Sequence, residues 1–166
     1  MTSAQENIIA QVKNIAQWKD TWTNRLQTVC DLIQRELDAY DWVGFYFLFS
    51  ERSELVLGPF AGKPTEHVKI PVGRGICGQV AESGEALIVQ DVTEESNYIS
   101  CGLDVKSEIV VPMYRGEEMV GQIDIDSHKL AAFNEEDQQF LEQVNELLAP
   151  IVPADMEELN ISLASR

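Results

Sequence analysis

The 166-residue sequence predicts an α+β fold, with a central antiparallel sheet and N- and C-terminal helices packed together on one side of it. Apolar residues recur at helical spacing near both ends of the chain. Between these regions, short stretches rich in aromatic and β-branched residues alternate with polar turns. With 45% hydrophobic and 24% charged residues, the chain has the composition of one globular domain.

The helices are predicted at the two ends of the chain. The N-terminal apolar pattern predicts one long helix or two over roughly residues 5–39. At the other end, Asn134 has the properties of an N-cap, with Asp137 at the capping-box position, for a helix that two prolines terminate. We therefore expect a single domain over residues 1–150 and a short acidic tail over residues 151–166.

Five strands are predicted between these helices, over residues 41–49, 55–57, 86–90, 107–114 and 119–127, with a brief extended piece over residues 68–70. The glycines and prolines of residues 58–64 predict a loop, and Pro112 predicts an edge or a bulge in its strand. A short helix is expected over residues 76–81. Residues 91–106 form a long predicted loop, and a loop of that length in a small domain is usually functional or mobile.

Charge excludes several classes of partner. The chain has 12 Lys and Arg against 28 Asp and Glu, a formal net charge of −16. Such a field repels phosphate backbones, so we expect no nucleic-acid partner, and it disfavours anionic membrane surfaces. The N-terminus lacks the features of a signal peptide, and the longest apolar run is far shorter than the ~20 residues of a membrane span. We therefore expect a cytoplasmic protein.

Three cysteines and two histidines restrict the possible sites. Cys30, Cys77 and Cys101 are too scattered for a disulfide scaffold and match no zinc motif, so neither a metal nor a cofactor is predicted. Cys30 falls within the apolar helical pattern and is expected to be packed. Cys77 follows a glycine-rich entry into a helix, whose dipole would stabilise a thiolate. Cys101 lies in the long loop and is expected to be more accessible than Cys30, although Cys77 and Cys101 could each be inert.

Strand alternation places five polar or amphipathic side chains opposite the apolar faces of their strands: Trp42, Tyr46, Glu108, Asp124 and Asp126. The solvated face of an antiparallel sheet explains any one of them. Asp124 and Asp126, however, lie ~7 Å apart on one strand and repel each other, so they require a cationic partner or a ligand. Trp42 and Tyr46 lie ~13 Å apart by the same rise, which suits flanking a small ligand without stacking.

Five segments together resemble a known family. They read Asp41-Trp42-Val43-Gly44-Phe45-Tyr46, Gly58-Pro59-Phe60, Gly73-Arg74-Gly75-Ile76-Cys77-Gly78, Ser107-Glu108-Ile109-Val110-Val111-Pro112 and Asp124-Ile125-Asp126-Ser127. In order and spacing these motifs resemble the free methionine-(R)-sulfoxide reductases, which are single-domain GAF proteins. The resemblance runs from Trp18 to Leu148 and implies a GAF fold.

The resemblance implies an enzyme that reduces free L-methionine-(R)-S-oxide to L-methionine. A cysteine thiolate attacks the sulfoxide sulfur while a carboxylic acid protonates the departing oxygen, leaving a sulfenic acid. By position, Cys101 matches the attacking cysteine, and Asp126 is a candidate catalytic acid. The family usually carries a resolving cysteine near residues 65–67, where this sequence has none. Cys77 then remains to form the disulfide, which a thioredoxin-type reductant would reduce.

Matching positions also imply the substrate contacts. Glu108, Asp124 and Asp126 would bind the sulfoxide and ammonium groups, and Trp42 and Tyr46 would enclose the methyl-sulfoxide end. The missing cysteine keeps an alternative open, a non-catalytic GAF domain that binds or senses methionine sulfoxide or a redox signal. A GAF module for another small molecule, such as a cyclic nucleotide, is a third possibility, which the acidic pocket disfavours.

The terminal helices also indicate how two copies of the chain could assemble. Apolar side chains at Trp18, Trp22, Phe140 and Leu141 suit a two-fold homodimer, or alternatively packing against the sheet alone.

Overall fold

One antiparallel sheet of six strands organises the part of the chain, residues 1–99 and 104–165, that this computed structural model describes. In chain order the strands are β1 (Trp42–Phe49), β2 (Glu54–Ala61), β3 (Lys69–Pro71), β4 (Leu87–Val89), β5 (Ser107–Arg115) and β6 (Glu118–Ser127). Their order across the sheet is β3, β2, β1, β6, β5, β4, and every neighbouring pair is antiparallel. The predicted antiparallel sheet is confirmed.

Five α-helices accompany this sheet in the described residues: α1 (Ser3–Ile15), α2 (Trp22–Glu36), α3 (Gly75–Ser83), α4 (Glu135–Leu148) and α5 (Met156–Ala164). The N-terminal region forms two helices, each starting at a threonine cap, Thr2 and Thr21. Helix α4 starts at Asn134 with the predicted capping box to Asp137. The acidic tail contains α5, which buries Leu159. No helix in the described ranges is long and apolar enough to cross a membrane.

Strand β2 is longer than the sequence predicts. The expected strand covered residues 55–57, with a loop starting at Gly58, but β2 runs Glu54–Ala61. Pro59 fits because the pairing with β1 shifts at this point, and such a bulge tolerates a residue without an N–H. Gly58 permits close packing, since a Cβ there would overlap the Phe47 ring.

The two faces of the sheet pack against different helices. One face, which includes Phe45 and Phe47, forms a core with α1, α2 and α4, as predicted for the terminal helices. The opposite face is covered by α3, whose Ile76 and Val80 pack in one apolar cluster with Val110 of β5. A solvated face was one explanation for the polar residues there. That explanation is wrong because a second apolar layer covers them.

Three of the four side chains considered for a dimer lie in the chain's own core. Trp22, Phe140 and Leu141 are buried, and the Trp22 ring meets the Phe47 ring edge-on at 5.2 Å. Trp18 is exposed. The burial of these three residues supports packing within the chain. A homodimer stays a prediction, and these three side chains would not form its interface.

Asp137 joins three separated parts of the helical layer. Its Oδ1 accepts hydrogen bonds from the Tyr40 hydroxyl at 2.6 Å and from Gln5 Nε2 at 2.9 Å, and its Oδ2 accepts one from Asn134 N at 2.9 Å. Burial, and then the hydrogen bond to Asp137, raise the pKa of Tyr40 far above its usual value, so the phenol remains a donor. One carboxylate thus connects α1, the segment before β1 and the start of α4.

We expect Asp137→Ala to lower the free energy of unfolding by about 3 kcal/mol, because it leaves three donors without their acceptor. Urea unfolding followed by tryptophan fluorescence measures the loss. Asp155, the N-cap of α5, is the matched control, and Asp155→Ala should cost about 1 kcal/mol. Equal losses in the two variants would contradict a connecting role for Asp137.

Candidate functional site

Three adjacent strands bring the predicted polar residues together. In the sheet register, Asp126 lies between Trp42 of β1 and Glu108 of β5. Asp124 lies two residues before it on β6 and therefore points to the same face. The exposed fractions of Glu108, Asp124 and Asp126 are only 3%, 1% and 2%. The three predicted carboxylates thus form one buried group under α3.

Helix α3 adds a thiol to these carboxylates. Cys77 lies in the first turn of α3, and its Sγ is 3.3 Å from Asp124 Oδ2 and 4.0 Å from Glu108 Oε1. Cys77 is itself buried. The sequence placed these residues in three separate motifs, and the fold brings them into contact.

The first turn of α3 has a backbone that lets Cys77 approach the carboxylates of the sheet closely. Gly75 has a φ of 67°, a conformation that favours glycine, and a Cβ there would press on Ile99. Asn97 holds the same turn, since its Nδ2 donates to Gly73 O at 2.9 Å and its Oδ1 accepts from Gly75 N at 3.2 Å. Asn97 was not among the residues predicted from the sequence. An Asn in a polar loop signals a side-chain hydrogen bond to backbone, but it does not indicate which backbone segment.

Burial determines the protonation of the carboxylates. It raises the pKa of Asp124 and, together with the Asp124 charge, raises that of Asp126 well above its usual value. Hydrogen bonds with Glu108 oppose both shifts in part. Because carboxylates this close cannot all be ionised in a buried site, they retain protons that exposed carboxylates would lose. The site can therefore supply a carboxylic acid.

The same surroundings keep Cys77 protonated. Burial raises the pKa of the thiol, and the charges of Asp124 and Glu108 raise it further. The sequence predicted the opposite, a thiolate stabilised by the helix N-terminus. That prediction is wrong because burial, together with the charges of the neighbouring carboxylates, outweighs a helix end that carries only about half a positive charge.

Trp42 and Tyr46 are in contact rather than well separated. Their ring centroids are 6.4 Å apart with the planes tilted by 32°, whereas the strand rise suggested a separation of about 13 Å. The indole of Trp42 leans over Gly44, where a Cβ would overlap it, and stacks on Phe60 with centroids 5.6 Å apart. The absence of a side chain at Gly44 therefore explains the difference.

Residues 62–68, which connect β2 to β3, are held against these aromatic rings. Trp42 Nε1 donates to Lys63 O at 3.0 Å, and the Tyr46 hydroxyl donates to His67 O at 2.9 Å. A cavity of about 10 Å³ lies nearby, lined by residues that include His67, Arg74, Cys77, Glu108 and Asp124. Such a volume holds about one water, so these side chains must move apart to admit an amino acid.

A much larger cavity lies on the other side of the sheet. It has a volume of about 1280 Å³ between α2 and the C-terminal segment and is lined by residues such as Arg25 and Arg115. None of the predicted site residues lines it, so volume alone does not locate the chemistry.

The remaining cysteines are Cys30 and Cys101. Cys30 is fully buried, with Sγ 3.5 Å from Pro59 O, which confirms the prediction that it is packed. Cys101 lies outside the described residues. Its role as the attacking cysteine, and its pairing with Cys77, stay predictions.

Comparison with known proteins connects this arrangement to a family. Residues 20–152, which include every predicted site residue, match the GAF domain family. The free methionine-R-sulfoxide reductase of Escherichia coli (strain K12) is 40% identical over 113 residues, covering 68% of this chain and 67% of that protein. The free methionine-R-sulfoxide reductase of Saccharomyces cerevisiae is 33% identical over 149 residues, covering 86% of this chain and 82% of that protein.

A solved structure extends the similarity to the whole fold. The free methionine-R-sulfoxide reductase from Neisseria meningitidis, in complex with its substrate, matches with a TM-score of 0.83 and 30% identity, over 98% of this chain and 95% of that chain. The chain therefore belongs to the GAF domain family and, within it, to the free methionine-R-sulfoxide reductases.

Proposed function

We propose that this chain reduces free L-methionine-(R)-S-oxide to L-methionine. The observation that carries the proposal is the buried contact of the Cys77 thiol with Glu108 and Asp124, beside Asp126 and the Trp42 ring. Reduction of a sulfoxide by thiols needs both a thiol and an acid for the departing oxygen, and the cluster supplies both types of group. Relatives named for this reaction are similar over most of the chain.

The groups of the substrate suit different parts of the site. Within the described residues, Asp124 and Asp126 form no ion pair with a basic side chain. The ammonium group of a free amino acid would supply a cation for Asp124. The sulfoxide oxygen would accept the proton of Asp126. The rings of Trp42 and Tyr46 suit the S-methyl group. A sulfoxide within a peptide lacks the free ammonium group, which favours the free amino acid.

In the proposed reaction, the Cys101 thiolate attacks the sulfoxide sulfur and Asp126 donates a proton to the oxygen. Methionine leaves, and Cys101 keeps the oxygen as a sulfenic acid. The Cys77 thiol then attacks the Cys101 sulfur, which releases water and forms a disulfide. A dithiol reductant of the thioredoxin type returns both cysteines to thiols.

A non-catalytic GAF domain that binds free methionine sulfoxide is the second candidate. The absence of a cysteine at residues 65–67 favours it, because the family's usual resolving thiol is missing there. This candidate predicts that the sulfoxide binds and that no methionine is released.

We expect the reduced protein to release one methionine per chain in a single turnover with the free R epimer and none with the S epimer. Cys101→Ser should abolish release, because the attacking sulfur is lost. Cys77→Ser should keep the first turnover and lose turnover driven by a thioredoxin-type reductant, and Cys30→Ser should behave as wild type. Chromatographic quantification of methionine measures all of these.

Binding of the R epimer without release of methionine would instead establish the non-catalytic candidate. Loss of the first turnover in Cys77→Ser, with Cys101→Ser active, would exchange the roles of the two cysteines.

Asp126→Asn should slow the first turnover by about 100-fold or more, since a neutral amide cannot donate the proton. In the wild type, the rate increase that this acid gives to the first turnover falls as pH rises through the raised pKa of Asp126. That decline should be missing from the pH profile of the variant. Asp38→Asn, at an exposed position, is the control for loss of one charge. An unchanged pH profile in Asp126→Asn would remove this residue from the proton-transfer step.

The pKa of Asp126 is higher in the folded chain than in the unfolded one, so its contribution to stability is present at low pH. It is lost as pH rises from the ordinary value of about 4 towards the raised value. We therefore expect Asp126→Asn to raise Tm at about pH 8 and to leave it nearly unchanged at about pH 3. Thermal unfolding of both proteins at the two pH values measures this, and an equal change at both would contradict it.

A further inference from the structure

Three side chains of types that bind transition metals, one thiol and two carboxylates, meet in the cluster under α3. Cys77 Sγ and one carboxylate oxygen each from Glu108 and Asp124 lie within 4.8 Å of one another, and all three residues are buried. The ligands come from α3, β5 and β6, so their sequence spacing follows no zinc motif. For this reason, the sequence predicted no metal site.

The distances fit one small ion. A tetrahedral zinc ion with a sulfur at 2.3 Å and an oxygen at 2.0 Å would hold these two atoms about 3.5 Å apart. The distances from Cys77 Sγ are 3.3 Å to Asp124 Oδ2 and 4.0 Å to Glu108 Oε1. Movements of a few tenths of an ångström would therefore bring the sulfur to the tetrahedral distance from each oxygen.

A second observation points to a ligand in the same place. Asp124 Oδ1 and Asp126 Oδ1 are buried oxygens that accept no hydrogen bond, in side chains that are 1% and 2% exposed. Buried carboxylate oxygens without a donor or a cation are costly, so a native site that contains them is expected to receive one. Asp124 also lines the small cavity together with the other two ligands, Cys77 and Glu108.

We propose that Cys77, Glu108 and Asp124 form a binding site for a divalent cation of the zinc class. The thiolate ligand disfavours magnesium and calcium, and the carboxylates disfavour soft monovalent copper. Water or the imidazole of His67, which lines the same cavity, completes four-coordination. Binding moves the Cys77 proton, and any proton shared by the carboxylates, into solvent and involves no change of oxidation state.

The bound ion would exclude the sulfoxide. It would occupy Glu108 and Asp124, which the proposed substrate contacts need, and Cys77, which the disulfide step needs, so the metal-bound chain would be inactive and chelation would restore it. This second part of the proposal rests on the proposed function, whereas metal binding does not.

Cobalt(II) is the probe, because a thiolate ligand gives it an intense near-ultraviolet charge-transfer band. Titration of the reduced, chelator-free full chain without oxygen should give this band with one cobalt per chain, and zinc should displace it. Cys77→Ser should lose the band, while Cys30→Ser and Cys101→Ser should retain it. Asp124→Asn should keep the band and weaken binding at least about tenfold, because it removes one ligand.

Three results would contradict the metal site. A band that survives in Cys77→Ser, a band lost in Cys101→Ser, or no saturable band in the wild type would each overturn the site. Circular dichroism checks the fold of each variant, and Glu108→Gln, which removes a different ligand, should also bind cobalt at least about tenfold more weakly.

To test exclusion of the substrate, one equivalent of zinc should abolish single-turnover release of methionine, and a chelator should restore it. Full activity with zinc bound would overturn exclusion, whereas absence of activity in the metal-free chain would refute the proposed function and leave the cobalt result intact.

Discussion

The covering of an acidic sheet face by helix α3 is the constraint on which the rest of this structure depends. Buried carboxylates are rare in proteins because water stabilises their charge far better than an apolar interior does. Here Ile76 and Val80 belong to an apolar cluster that spreads over the face holding Asp124 and Asp126. This requires α3 to lie very close to the sheet, which its glycine-rich first turn and the Asn97 hydrogen bonds permit. The protonation of the site and its small cavity both follow from that approach.

Protons take the place of counterions on this face. Within the described residues, Asp124 and Asp126 have no basic side chain as an ion-pair partner, so their charge is reduced by retaining protons. The same environment keeps the thiol of Cys77 protonated, even though it lies at a helix N-terminus. An ammonium group or a divalent ion that enters can replace those protons. A substrate and a metal are therefore expected to compete by the same physical mechanism.

The sequence predicted which residues share a face but not what covers that face. Strand alternation correctly placed Trp42, Glu108, Asp124 and Asp126 opposite the apolar faces of their own strands, because a period of two residues is fixed by backbone geometry. That these faces meet depends on the strand order, which periodicity does not give. Their burial under α3 was not predictable, since it depends on contacts between segments far apart in the chain. The contact of Trp42 with Tyr46 was missed for a related reason. Backbone rise gives the separation of Cα atoms, whereas ring positions depend on the empty space above Gly44.

Strand β6 shows how one element carries stability and chemistry together. Ile123 and Ile125 point into the large core under the terminal helices, while Asp124 and Asp126 point to the site. A slip of one residue would exchange the two sets and place both carboxylates in the apolar core, so the register is strongly determined. Because the apolar face sets that register, the residues on the other face do not need to stabilise the sheet. Costly carboxylates can therefore be held in fixed positions beside Cys77, where an exposed loop could not hold or bury them.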